Sequence, residues 1–122
     1  MRAPRGAAAL LLGLGLVVAG TAAGRAPAPL QVVEDEWTLV LSRQNVRAGP
    51  VLLEAVNFGQ DEHDLVIQRR AQGAKPVRFP RLAPRTRAER TLRLAAGRYL
   101  LWCSLPGHRQ RGMWATLAVR SG

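Results

Sequence analysis

Cys103, His108 and Met113 fall within one short stretch, LLWCSLPGHRQRGMWATLAV, residues 100–119, and Cys103 is the chain's single cysteine. A lone thiol cannot staple its own chain. It can pair with another molecule, act as a reactive thiol, ligate a metal, or pack as a small buried hydrophobe. The chain has one further imidazole, His63, and Met113 is its only methionine besides the initiator.

Read together, these four side chains point to copper. Thiolate and thioether favour Cu(I), imidazole suits both oxidation states, and two histidines with a cysteine and a weak axial methionine are the ligands of blue-copper electron-transfer sites. A geometry between the preferences of Cu(I) and Cu(II) lets an electron move with little rearrangement. Delivery of copper to another protein is the alternative use of such a site, and a thiol switch needs Cys103 alone.

The elements that must position these residues are strands. Alternation or β-rich composition marks residues 37–42, VLLEAVN at 51–57, HDLVIQ at 63–68, RTLRLA at 90–95, RYLLWC at 98–103 and MWATLAVR at 113–120. Turn residues at Gly49-Pro50, Phe58-Gly59 and Ala96-Gly97 separate several of them. The stretch 69–89 holds Pro76, Pro80 and Pro84 and is too long for a structureless loop, so a short edge strand near Val77–Phe79 or a brief helical turn is expected inside it. The expected fold is all-β, an antiparallel Greek-key β-sandwich of about seven strands. Cys103 then ends one strand and Met113 opens the next, with His108 in the loop between them. Pro106 stiffens that loop and Gly107 permits an unusual backbone angle. Only His63 must arrive from elsewhere.

Two segments resemble the cupredoxins, the small blue-copper proteins. NVRAGPVLLEAVNFGQDEHDLVI is similar to the family's strand, turn and first-histidine segment, and GRYLLWCSLPGHRQRGM to its ligand loop. The resemblance covers roughly residues 31–120, and its Cys-x4-His-x4-Met spacing is that of rusticyanin and auracyanin rather than plastocyanin. It implies one copper ion, Cu(I)/Cu(II), with His63, Cys103 and His108 equatorial and Met113 axial. Where the family often has asparagine after the first histidine, this chain has Asp64, which could still accept hydrogen bonds from Ser104.

The resemblance also implies a monomeric, non-enzymatic electron carrier between redox proteins, a cytochrome or oxidase-type donor and acceptor. Copper enzymes of this family place a histidine beside the ligating cysteine; here the neighbours are Trp102 and Ser104. Arg109, Arg111 and Trp114 are candidates for docking a partner, and the arginines suit an acidic one.

Residues 1–24 carry Arg2 and Arg5 ahead of an uncharged Ala/Leu/Gly/Val run that ends in small residues, the form of a secretory signal peptide, with an uncleaved membrane anchor as the alternative. Residues 25–30 read as an Ala/Pro linker, and 31–122 as the domain. The protein is therefore expected outside the cytoplasm, periplasmic or extracellular. Net charge is +10, and all but Lys75 of the 18 basic residues are arginine. Nucleic acid is not the expected partner, because the basic stretch lacks interleaved aromatics.

Overall fold

The computed structural model describes residues 24–122 together with positions 2–4, 6 and 15. The expected signal or anchor segment lies almost wholly outside the described residues, and among these no helix is long and apolar enough to cross a membrane.

The elements in chain order are β1 (Ala28–Asp35), β2 (Thr38–Leu41), β3 (Asn45–Arg47), β4 (Gly49–Asn57), β5 (Val66–Arg69), β6 (Val77–Arg78), β7 (Arg87–Leu94), β8 (Gly97–Trp102), the single-turn helix α1 (His108–Arg111) and β9 (Trp114–Arg120). They form a sheet of order β2-β1-β4-β7 and a second of order β3-β9-β8-β5-β6. Period-two burial supplies the core between them. Leu30 and Val32 of β1, Val51, Leu53 and Ala55 of β4, Tyr99 and Leu101 of β8, and Leu117 and Val119 of β9 belong to one buried cluster. Alternate residues such as Gln31, Arg98 and Thr116 face water.

Three expectations need correction. The strands number nine among the described residues rather than about seven, and each sheet is mixed, because β1 runs parallel to β4 and β3 parallel to β9. The chain crosses from β2 to β3 in the other sheet before returning as β4, so β4 meets β1 in the same direction; side-chain alternation carries no record of that crossover.

The expected linker 25–30 is in part a strand. Ala28, Pro29 and Leu30 pair with Val51, Leu52 and Leu53, whereas β2 pairs only with Val32–Asp35. The start of β1 is thus an open edge, where Pro29 forfeits no hydrogen bond.

The strand expected from His63 begins instead at Val66. His63 sits in an isolated bridge, donating its N–H to Leu82 O at 3.1 Å and accepting from Leu82 N–H at 2.7 Å. The short edge strand appears as β6, antiparallel to β5.

Candidate metal centre

The loop between β8 and β9 is closed by backbone hydrogen bonds. Cys103 N–H donates to Met113 O at 3.0 Å, Met113 N–H to His108 O at 3.2 Å, and His108 N–H to Leu105 O at 3.1 Å. Gly107 caps α1 at φ 80, and Gly112 ends it at φ 125, a conformation L side chains rarely adopt. A Cβ at Gly112 would also lie 2.9 Å from Trp37 O. This folding gathers Cys103, His108 and Met113 at one end of the sandwich, and the Leu82 bridge fixes His63 beside them.

Ligand atoms of His63, Cys103 and His108 lie within 4.8 Å of one another. The two Nδ1 atoms are 3.2 Å apart, and Cys103 Sγ is 3.5 Å from His108 Nδ1. His63, Cys103 and Met113 are fully buried, and His108 is half-buried. Two imidazole nitrogens and one sulfur, converging in a buried space with a buried methionine between Cys103 and β9, suit a soft cation, and the donor set fits one copper ion.

Two residues that sequence reasoning missed act on the imidazoles. Glu36 and Trp37 form the turn between β1 and β2. Glu36 Oε1 is 3.0 Å from His63 Nε2, and its carboxylate also accepts the N–H groups of Gln60 (2.9 Å) and Asp61 (2.7 Å). The backbone donors of Asp61 and Gln60, with a further contribution from His63, hold the Glu36 carboxyl down at about 2. An ionised carboxylate can only accept, so His63 Nε2 carries the proton and Nδ1 keeps its lone pair for a metal. Any side chain at Gly59 would collide with that carboxylate.

Trp37 packs edge-on against the His108 ring, with centroids 4.8 Å apart and planes at 73°. Arg111 lies 4.4 Å over the Trp37 ring. No local spacing signals either contact, because Glu36 is 27 residues from His63 and meets it only through the sheet.

Asp64 accepts both the backbone N–H and the hydroxyl of Ser104, each at 2.5 Å, as expected for an acceptor at that position. Its own N–H points to Cys103 Sγ at 3.4 Å. Burial pushes the Cys103 thiol up to about 11, against the N–H groups of Asp64 and Leu105. Desolvation first, then the neighbouring His63, lowers His108, which favours the neutral ring that ligates metals. Glu34 is also fully buried, with neither carboxylate oxygen hydrogen-bonded among the described residues, and burial raises it to about 8.

The three docking candidates separate. Arg109 lies 5.0 Å over Trp102 and lines a recess with Trp114, whereas Arg111 belongs to Trp37 beside His108.

The sequence model of the Sulfocyanin (SoxE) domain matches residues 87–122, the part that carries Cys103, His108 and Met113. Auracyanin A, a "blue" copper protein from the green thermophilic photosynthetic bacterium Chloroflexus aurantiacus, superposes with a TM-score of 0.62 at 17% identity, covering 78% of this chain and 100% of that one. The purple cupredoxin from Nitrosopumilus maritimus superposes at 0.51 with 20% identity, covering 74% of this chain and 98% of that one. The chain has the cupredoxin fold. The chain also superposes on the Cu-containing nitrite reductase (NirK) from Thermus scotoductus SA-01, with a TM-score of 0.53 and 20% identity over 88% of its own length but 25% of the reductase. No curated protein sequence matches it.

Proposed function

We propose that this protein is a type 1 copper protein that shuttles single electrons between redox proteins outside the cytoplasm. The observation that carries this reading is the convergence of His63, Cys103 and His108 within 4.8 Å in a mostly buried setting. His63, Cys103, His108 and Met113 would hold one copper ion, which supplies the Cu(I)/Cu(II) couple when bound. The chain's own part is to hold the ligands still. Glu36 sets the tautomer of His63, Trp37 backs the ring of His108, and the Asp64–Ser104 hydrogen bonds tie the segment carrying His63 to the ligand loop. Ligands so held need little reorganisation between oxidation states.

Carriage is favoured over copper delivery because His63, Cys103 and Met113 are closed off from solvent, whereas delivery asks for exchangeable ligands. It is favoured over catalysis because the chain has only two histidines, both at this site, which leaves no imidazole for a second copper centre. Export is supported by the signal-like form of residues 1–24.

The test is to add Cu(II) to the purified domain and record visible absorption and electron paramagnetic resonance. An intense blue, purple or green thiolate band, absent in Cys103→Ser, is expected. Colourless copper binding overturns the proposal. Retention of copper against a competing Cu(I) chelator separates a carrier from a delivery protein.

A further inference from the structure

The outer face of the five-stranded sheet carries an aromatic pair directly beside two of the candidate ligands. Trp102 of β8 and Trp114 of β9 are register partners, and their chain neighbours Cys103 and Met113 are fully buried. Strand alternation therefore turns both indoles outward. Trp114 is 53% exposed, an unusual placement for so large an apolar ring unless something covers it.

The surroundings of Trp114 are of two kinds. On one side Arg70 and Arg109 line with it a recess of about 600 Å³, and Arg109 also stacks over Trp102. On the other side Trp114 walls a groove of about 350 Å³ between β2 and β9, where Val40 is 56% exposed. Among the described residues no carboxylate lines either hollow. A large exposed indole between two hollows, with an exposed valine beside it and an arginine rim, has the composition of a protein-binding surface, where tryptophan and arginine are enriched.

We propose that Trp114 and Val40, rimmed by Arg70 and Arg109, form the docking face for an acidic redox protein. This rests on the electron-carrier reading and adds a place to it. A partner seated here lies against Trp102 and Trp114, each one peptide bond from a candidate ligand. The occupant is acidic because both charged groups of the rim are cationic. It is a protein rather than a bilayer because the surface is a pair of hollows divided by a ring, which accepts protruding side chains better than a flat headgroup layer.

The experiment uses the copper-loaded protein with an acidic monohaem c-type cytochrome as probe, and follows electron exchange by stopped flow at low and high salt. Hexacyanoferrate(III) serves as a second, small oxidant. Four proteins are compared: the parent, Trp114→Ser, the pair Arg70→Glu/Arg109→Glu, and the charge-matched pair Arg47→Glu/Arg93→Glu on exposed positions of β3 and β7.

The rim pair is expected to slow exchange with the cytochrome at least ~10-fold more than the control pair, with a flattened salt dependence. Trp114→Ser is expected to weaken the complex ~10-fold while the visible spectrum stays that of the parent. Equal slowing by the two arginine pairs overturns the docking face and leaves the carrier reading standing. So does sedimentation with phosphatidylglycerol vesicles that is lost in the rim variants while cytochrome exchange is untouched. A loaded parent that exchanges electrons with neither the cytochrome nor hexacyanoferrate overturns the carrier reading itself.

Discussion

Glu36 and His63 are joined by a 3.0 Å contact between Oε1 and Nε2, and the residue after Glu36, Trp37, packs against the other imidazole, His108. One turn between two strands thus bears on both imidazoles, from opposite chemical directions: a carboxylate on one, an aromatic edge on the other.

Removing the carboxylate should cost metal affinity. Glu36→Ala leaves His63 Nε2–H without its acceptor and frees the ring to turn, and loss of such a partner typically weakens metal binding about 10–100-fold. Competition with a copper chelator of known affinity measures it. Gly59→Ala should move the result the same way, since its new methyl displaces that carboxylate.

Trp37→Ala should lower the reduction potential of the loaded protein. The indole shields the half-buried His108 from water, and water admitted there stabilises the more highly charged Cu(II) state. Protein-film voltammetry reads the shift, and an unchanged or raised potential would contradict it.

Asp64 holds two donors of Ser104, so Asp64→Ala should destabilise the folded protein by about 2–4 kcal/mol, given the usual worth of hydrogen bonds to a charged acceptor discounted for their partial exposure. Asp64→Asn retains one acceptor oxygen and should lose less than half of that. Urea denaturation of the metal-free protein distinguishes the two.

Stability should also depend on Glu34. Its carboxyl rises from 4.5 unfolded to about 8 folded, so folding favours the protonated acid. That preference costs nothing below about 4.5 and grows as pH rises towards 8, so the metal-free protein loses stability across that window, by on the order of a few kcal/mol. In Glu34→Gln the fall should be largely absent, as thermal melts at pH 5 and pH 8 will show.

How legible the molecule was in its sequence follows the range of each interaction. Cys103, His108 and Met113 could be grouped because one loop carries all three, and β8 and β9 could be drawn because alternation is a local signal. Local limits on loop length called for an edge strand or a helical turn where β6 lies, and did not choose between them. Glu36 and Trp37 could not be found this way, because their effect depends on β1 lying beside β4, and that parallel pairing depends on a crossover between sheets. Ala28–Leu30 read as a linker for the same reason: Pro29 looks like a strand breaker until its unpaired edge is known.

The β1–β2 hairpin that ends in Glu36 and Trp37 runs back to the pairing of Val32 with Leu41, well away from the imidazoles in sequence. Loosening that remote end would reach both imidazoles through the turn, so the visible absorption expected of the loaded protein becomes a gauge of whether its first hairpin is intact.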